Sequence, residues 1–343
     1  MAGMERETWG QDAGWQAVVR LCPAEIQRRL AQLPASVWTH AEEIRFRIGQ
    51  PLQLCGRDFD RFLHQDHGLT DDTRAGYVVT QETLTQMVQA VTQSSLYAVE
   101  EDLRRGFVTI PGGHRVGIAG RAVLFESGQV RTVRSITSLN VRIARERLGA
   151  AAGLAPYVVH PGTDAPCNLL ILSPPQCGKT TLLRDLARSW SEGGWRGIRP
   201  RKVCIVDERS EIAGCVHGVP YFRLGPRTDV LDGCPKAEGM LMAIRSLSPE
   251  VLVTDEIGRQ ADRDAILEAA HAGVAVVASA HARSVDEWRS RPYMRDLFDA
   301  RVFDRYVILS RRRGPGTIEQ VLGREGTPLG TLDRHGRGRQ SDG

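Results

Sequence analysis

The 343-residue sequence predicts an α/β protein in which a parallel sheet covered by helices follows a smaller α+β domain. Two observations lead to this prediction. In the C-terminal half, short apolar runs alternate with stretches of helical periodicity, which is typical of strand–helix–strand units. In the N-terminal half, an amphipathic stretch is followed by short glycine-punctuated runs of alternating polarity, which indicates a helix packed on a small sheet.

The length suits two domains, each long enough to bury its own core. The two patterns meet in a segment rich in alanine, glycine and proline, which we interpret as a linker. The segments that we expect are a flexible N-terminus (1–14), an α+β N-terminal domain (15–148), a linker (149–166), an α/β domain (167–333) and a disordered tail (334–343).

Composition and charge exclude several classes of protein. Charged residues make up 25% and hydrophobic ones 41%, as in soluble globular proteins, and a net charge of +4 is too small to predict nucleic-acid binding. No run approaches the roughly 18 apolar residues of a membrane span. The first residues include acidic side chains without an apolar core, unlike a signal peptide. Seven cysteines without a C-x-x-C pair suit a reducing cytosol, and we expect Cys204 to be a buried thiol rather than a metal ligand.

The N-terminal domain shows both periodicities. A helical spacing near the start is interrupted at Pro23, where a new helix begins. Apolar residues recur at i, i+3, i+4 and i+7 from Leu84 to Val91, which predicts a long amphipathic helix. The predicted elements are helices at 15–33 and 83–104, strands at 43–48, 52–54, 107–110, 115–123 and 130–133, and a loop at 56–76.

The second half alternates apolar strands and helical stretches. This rhythm predicts a parallel sheet, because parallel strands need a crossover helix between them. Ligands of such sheets bind beyond the carboxyl ends of the strands. The predicted strands are 168–172, 202–206, 250–254 and 274–279, the helices are 178–190, 236–247 and 260–272, and edge strands follow at 301–309 and 316–321.

The strand that ends at Ser173 leads into a tight loop and then a helix, which is the setting of a phosphate-binding loop. Such a loop turns backbone N–H groups inward, and the helix N-terminus adds its positive dipole end. We expect Lys179 to reach the outer phosphates and Thr180 to hold a magnesium ion. Ser173 replaces the first glycine of G-x-x-x-x-G-K-[ST], and a chance Gly-Lys-Thr is the alternative. The predicted nucleotide-binding residues are Ser173, Pro174, Pro175, Gln176, Cys177, Gly178, Lys179, Thr180 and Thr181.

A second strand, Val251–Thr254, ends in two carboxylates, Asp255 and Glu256. In P-loop enzymes the aspartate at such a position holds the magnesium ion. The adjacent glutamate can accept a proton from the attacking water, which is the role of a general base. Together with the loop at Lys179, these residues predict a nucleotide hydrolase that uses Mg²⁺.

Two more strands end in side chains that suit this site. One leads into the charged cluster Asp207–Glu208, and the other ends in His281. By itself each could be a loop residue or a helix cap. Because all these strand ends meet at one edge of a parallel sheet, we expect Glu208 and His281 to lie near Lys179 and Asp255. His281 could then donate a hydrogen bond to the γ-phosphate or to its attacking water.

Seven strings carry a wider likeness: Ser95–Phe107, Pro111–Arg121, Thr137–Glu146, Pro174–Arg188, Ile205–Cys215, Cys234–Met240 and Phe303–Tyr306. Their order and content resemble the stage III sporulation protein AA family, whose relatives are the type II and type IV secretion ATPases. The resemblance covers roughly residues 15–325.

This resemblance implies a RecA-like P-loop ATPase domain at 167–333 that works as a ring, expected to be a hexamer. It implies a cytoplasmic motor without a membrane span of its own, bound through membrane proteins to a channel on the mother-cell side of the forespore membranes. It matches Asp207–Glu208 to an acidic box, His281 to a histidine box and Arg142 to an arginine near the nucleotide. Weaker candidates for that arginine are Arg104, Arg115 and Arg121.

Two other functions stay open. The first is an ATPase stimulated by nucleic acid, which would use the basic strings at 196–202 and 311–313. Aromatic residues make up only 6% and do not interleave these strings, which argues against strand binding. The second is a nucleotide-gated scaffold without turnover. The set of Lys179, Asp255 and Glu256 argues against it, because a scaffold has no use for a base.

Overall fold

The computed structural model describes residues 14–56, 58–93, 103–104, 106–160, 162–193, 198–216 and 218–330. The expected flexible N-terminus up to residue 13, the tail at 334–343 and positions 94–102 of the predicted long helix lie outside the described residues. The chain divides into two compact units between residues 145 and 146. Among the described residues, no helix is long and apolar enough to cross a membrane.

The first unit contains an antiparallel sheet of seven strands in the order β4-β3-β2-β1-β7-β6-β5. Its described helices are α1 (Gly14–Leu21), α2 (Ala24–Ala31), α3 (Ala35–His40) and α4 (Gln81–Val91). Its strands are β1 (Ala41–Arg47), β2 (Gln53–Gly56), β3 (Asp60–Leu63), β4 (Leu69–Thr70), β5 (Phe107–Ile110), β6 (His114–Leu124) and β7 (Val130–Arg142).

The alternation in β1 places Ile44 and Phe46 in the core, where both are fully buried. Pro23 precedes α2, as its fixed φ and missing N–H favour. The predicted loop at 56–76 is wrong, because it contains β3, β4 and a 3-10 turn at Thr73–Ala75. The predicted helix at 83–104 is not one continuous helix in its described part, because residues 92–93 form a turn and residues 103–104 are helical again. α4 ends at Val91, where the Thr92 hydroxyl donates to the Val88 carbonyl and the next residue takes a positive φ.

The second unit contains a sheet of eight strands in the order β10-β9-β11-β12-β8-β13-β14-β15. The strands from β10 to β13 in that order pair in parallel, and β14 and β15 continue the sheet antiparallel. The strands are β8 (Leu169–Ser173), β9 (Val203–Asp207), β10 (Thr228–Asp232), β11 (Val251–Thr254), β12 (Ala275–His281), β13 (Arg305–Ser310), β14 (Thr317–Gly323) and β15 (Pro328–Gly330). The described helices are α5 (Lys179–Glu192), α6 (Lys236–Ser246), α7 (Gln260–His271), α8 (Val285–Arg289) and α9 (Met294–Asp299).

The parallel register aligns the carboxyl ends of the central strands. His281, at the end of β12, lies opposite Ser173, at the end of β8. Strand β11 pairs with β9 and β12, so Asp255 follows a neighbouring strand end. The strands themselves are buried, and Cys204 is a fully buried free thiol as predicted. The backbone therefore places the polar strand ends at one edge of the sheet.

Three parts of the second unit differ from the sequence prediction. Strand β13, predicted at an edge, lies between β8 and β14, and the edges are β10 and β15. Strand β10 was not predicted, because its Thr-Asp-Val-Leu-Asp sequence has neither a long apolar run nor a regular alternation. The segment predicted as a linker, 149–166, carries a 3-10 helix at Ala152–Tyr157 with Leu154 fully buried.

Candidate functional site

The loop between β8 and α5 has two residues in the left-handed region, Gln176 (φ 59°) and Gly178 (φ 87°). Gly178 is required on two grounds. Its φ strains any L side chain, and a Cβ there would lie 2.9 Å from the backbone nitrogen of Gly316. No side chain caps α5, which begins at Lys179. Its first N–H groups therefore face the loop without an intrahelical acceptor, which suits an anion.

Lys179 is buried and its ammonium group is surrounded by acceptors. Its Nζ donates to His281 Nδ1 at 3.0 Å, to the Pro174 carbonyl at 3.2 Å and to Ser173 Oγ at 3.3 Å. Burial lowers the pKa of Lys179, while the carboxylates of Glu256 and Asp255 oppose that shift. Ser173, where the motif expects glycine, thus contacts the lysine directly.

His281 connects Lys179 to Glu256. Because an ammonium group can only donate, Nδ1 of His281 accepts, and Nε2 carries the proton that it donates to Glu256 Oε1 at 2.9 Å. The other carboxylate oxygen of Glu256 accepts from Arg209 Nη1 at 2.8 Å. Glu256 has a φ of 45°, and its backbone N–H donates to Ser279 Oγ at 3.1 Å. The geometry fixes Glu256 from several directions.

Asp255 precedes Glu256 in the sequence, and its carboxylate has a different environment. Its side chain is 2% exposed, and neither carboxylate oxygen has a hydrogen-bond partner among the described residues. Burial, reinforced by the charge of Asp207, raises the pKa of Asp255 to about 7, although Lys236 acts in the other direction. A buried carboxylate without partners is costly. Two free oxygen ligands are what a divalent cation such as Mg²⁺ takes, so the residues fit the predicted metal.

The two residues of the predicted acidic pair, Asp207 and Glu208, make different contacts. Asp207 is fully buried and accepts N–H groups from Glu211, Ile212 and Ala213 at 2.8–2.9 Å, so it shapes the following loop, and burial raises its pKa. Glu208 instead forms an ion pair with Lys236. Burial works to raise the pKa of Glu208, but this pair outweighs it and holds the pKa below its usual value.

Arg142 is the last residue of β7 in the first unit. Its side chain is 55% exposed, with Nε 3.8 Å from Glu43 Oε1. Of the alternatives, Arg104 lies over the ring of Phe125 and Arg115 lies over the ring of Phe107. Arg121 pairs in register with Arg134 on β7.

Three side chains near the site were not predicted from the sequence to belong to it: Lys236, Arg209 and Arg311. Lys236 contacts Glu208, Arg209 contacts Glu256, and Arg311 donates to Gln176 at 3.1 Å. Arg209 follows Glu208 directly, so its place in the charged cluster was the available signal. Lys236 and Arg311 come from distant segments whose sequence gave no indication of these contacts.

A second cluster of potential metal ligands lies elsewhere in this unit: His160, Cys167 and Asp304, whose ligand atoms lie within 4.8 Å of one another. Asp304 forms an ion pair with Arg324, accepts the Asn168 N–H at 2.9 Å and lies 3.3 Å from His160 Nε2. Burial raises the pKa of Cys167 to about 11. The carboxylate of this cluster already has protein partners on both oxygens, which disfavours a metal ion.

Comparison with known proteins decides the family. A family model described as "Sporulation stage III, protein AA" matches residues 14–329. The chain belongs to this family. It is 46% identical to "Stage III sporulation protein AA" of Bacillus subtilis (strain 168) over 312 residues, which are 91% of this chain and 96% of that protein.

Solved structures of ATPases share the fold. The ATPase DotB of Legionella pneumophila superposes with a TM-score of 0.51 at 16% identity, covering 78% of this chain and 71% of DotB. The pilus retraction motor PilT, determined with bound ADP, gives a TM-score of 0.51 at 13% identity over 82% of this chain and 76% of PilT. This family member thus has a smaller α+β N-terminal domain, followed in the sequence by a RecA-like P-loop domain, as predicted.

Proposed function

We propose that the chain is a Mg²⁺-dependent ATPase that acts as the motor of a membrane-associated sporulation channel. The observation that carries the proposal is the line from Lys179 through His281 to Glu256, which passes beside the unpartnered carboxylate of Asp255. These hydrogen bonds join a phosphate-binding cation to a base, and a metal ligand lies next to the base in the sequence. Membership of the sporulation family and the fold of the motor PilT support the same function.

Each side chain has a task in this proposal. Lys179 and the N–H groups of residues 174–181 bind the phosphates. Asp255 and the Thr180 hydroxyl would hold Mg²⁺, which when bound neutralises phosphate charge. Glu256 takes the proton of the water that attacks the γ-phosphorus, and ADP leaves. Each Glu256 oxygen already accepts one hydrogen bond, and its second lone pair remains for that water. His281 Nε2–H holds Glu256 in place.

The finer parts of the proposal come from the family. We propose that the chain works as a ring, expected to be hexameric, in the cytoplasm of the mother cell, and that it binds the membrane through partner proteins. Glu208 is the second acidic candidate at the site, and Arg142 is the candidate for a cation that completes it. The domains are proposed as 15–148 and 167–333, joined by 149–166.

The test is ATP hydrolysis, measured as phosphate release by the purified chain alone, with membranes that contain its partners, and with DNA. We expect Lys179→Ala to abolish ATP binding or turnover, because its ammonium neutralises phosphate charge, while circular dichroism stays unchanged. Lys202→Ala, an exposed lysine of the same unit, is the matched control and should behave as the parent.

Three results would contradict the proposal in different ways. Activity unchanged by Lys179→Ala would remove the loop from the site. Binding without hydrolysis under every condition would favour the nucleotide-gated scaffold. Hydrolysis that rises only with DNA would favour the nucleic-acid-stimulated ATPase.

A further inference from the structure

The turn between β13 and β14, residues 311–316, lies against the phosphate-binding loop of the same unit. Arg311 Nη1 donates to Gln176 Oε1 at 3.1 Å, and the Gly316 N–H donates to the Cys177 carbonyl at 2.8 Å. Gly316 also limits the space at Gly178. Three consecutive loop residues, 176–178, therefore contact one turn that lies far away in the sequence.

Gln176 is the strained residue of this loop. Its φ of 59° lies in the left-handed region, which is unfavourable for a residue with a side chain. Such strain persists only where neighbouring groups hold the residue in place. The bond from Arg311 is a contact of this kind, because it fixes the end of the Gln176 side chain.

The three arginines of the turn, Arg311, Arg312 and Arg313, are all exposed but differ in their contacts. Arg312 is bound to Glu319 on β14, through Nε at 3.0 Å and Nη2 at 2.8 Å. The backbone N–H of Arg313 donates to Oγ1 of Thr317, the first residue of β14. Of the three, Arg311 is the one whose guanidinium bonds to the phosphate-binding loop in the described part of the chain.

We propose that Arg311 is a positioning residue of the nucleotide site: by holding Gln176 in its left-handed conformation, it keeps the loop N–H groups aimed at the phosphates of a nucleoside di- or triphosphate. This inference rests on the proposed function. It assigns the basic turn to nucleotide binding rather than to nucleic acid. Because the loop holds the phosphates equally before and during reaction, loss of Arg311 should weaken binding and spare kcat.

The test compares Arg311→Ala, Arg312→Ala, Gln176→Gly and the double variant Arg311→Ala/Gln176→Gly in the full chain. Affinity for fluorescent ATP and ADP is measured by anisotropy, with KM, kcat and Tm. We expect Arg311→Ala to raise Kd for both nucleotides about fivefold, the effect of one lost hydrogen bond, with kcat and Tm unchanged. Arg312→Ala should bind as the parent does.

Gln176→Gly separates positioning from direct contact. Glycine adopts a left-handed φ without strain, and it lacks the acceptor that Arg311 uses. We therefore expect Arg311→Ala to have no further effect on nucleotide affinity when it is combined with Gln176→Gly. Arg311→Lys keeps a donor and the charge, so it should recover part of the affinity.

The outcomes separate this inference from the proposed function. A parent chain that binds no nucleotide would contradict the proposed function itself. If the parent binds and Arg311→Ala matches Arg312→Ala, Arg311 has no role in the site. If Arg311→Ala weakens binding fivefold even with glycine at position 176, the arginine does not act through Gln176 and its positioning role is wrong.

Discussion

Asp255 and Asp304 are both buried aspartates of the second unit, each 2% exposed, but their carboxylates differ in what they contact. Both carboxylate oxygens of Asp304 have partners. Oδ1 pairs with Arg324, and Oδ2 contacts the Asn168 N–H and His160. Asp255 has no partner on either oxygen among the described residues. The same fold thus closes one carboxylate completely and leaves the other open.

This difference distinguishes a buried carboxylate that stabilises the fold from one that is available to a ligand. A carboxylate that the chain satisfies by itself stabilises the fold through its partners, whereas an open one costs stability and is retained where a ligand completes it. By this criterion the edge at Asp255 is a better candidate for a ligand site than the cluster at Asp304. The predictions below test that distinction, beginning with the largest effect.

We expect Glu256→Gln to bind ATP as the parent does and to lose hydrolysis by about a thousandfold, or about 4 kcal/mol of barrier. The amide keeps the shape but lacks the basicity that water activation needs. Phosphate release and nucleotide binding are measured in parallel, with exposed Glu268→Gln as the control. Hydrolysis at the parent rate would make Glu208 the better candidate for the base.

The two aspartates should respond oppositely to the same change. Asp304→Asn should lose roughly 1.5–3 kcal/mol of unfolding free energy, because Arg324 and the Asn168 N–H lose a charged acceptor. Asp255→Asn should be as stable as the parent or more so, because no bond is lost and a buried charge is removed, but it should lose Mg²⁺-dependent nucleotide binding. Urea unfolding measures the first effect. Equal destabilisation by both changes would show that the two carboxylates do not differ in their contribution to stability.

In the first unit, His114 is a buried titratable group whose nitrogens both have protein partners. His114 is fully buried; its Nε2 lies 2.5 Å from the Gly14 carbonyl, and its Nδ1 accepts the Ala144 N–H. Burial lowers the pKa of His114 to about 4 from 6.5. The unfolded chain therefore binds the proton more readily, so stability present above pH 6.5 is lost as the pH falls towards 4.

That loss should be at most about 3 kcal/mol for the 2.5-unit difference. The free energy of unfolding is measured between pH 7 and 4 for the parent, His114→Gln and the exposed His67→Gln. We expect His114→Gln to be less stable at pH 7 and to lose less on acidification, while His67→Gln follows the parent. A parent-like slope in His114→Gln would show that His114 does not contribute.

The smallest expected effect concerns Arg142. Its exposed pair with Glu43 contributes little to stability, so a role of this arginine should appear in turnover alone. We expect Arg142→Ala to lower kcat at least about tenfold in the proposed ring, or about 1.4 kcal/mol, with ATP binding affected less. A kcat within twofold of the parent would assign the completing cation to another residue.

Local chemistry made the centre of the site predictable. Gly178, Lys179 and Thr180 follow a strand and begin a helix, so their loop is visible in the sequence itself. Asp255 and His281 follow apolar runs, and parallel pairing places strand ends together. The contacts of Lys236 and Arg311 were not predictable, because those side chains reach Glu208 and Gln176 across 28 and 135 residues without any periodic signal.

The fold was predictable where burial was complete. Strands β8, β9 and β11 are buried throughout and appear as apolar runs. Strand β10 is half-buried at an edge and carries two aspartates, so its sequence resembles a loop. Strand β13 was found but placed wrongly, because an apolar run indicates burial and not which strands lie beside it.

The position of β8 has a consequence for synthesis. Its neighbours in the sheet are β12 and β13, and the Asn168 N–H finds its acceptor in Asp304, 136 residues later. A ribosome adds about 5–20 residues per second, so β8 is synthesised on the order of ten seconds before β13, the later of its two neighbours. Loop closure over such distances is slow, and an unpaired apolar strand is prone to aggregate meanwhile. A nascent chain that stops before residue 305 therefore has the complete P-loop sequence but lacks the strand that completes the sheet around it.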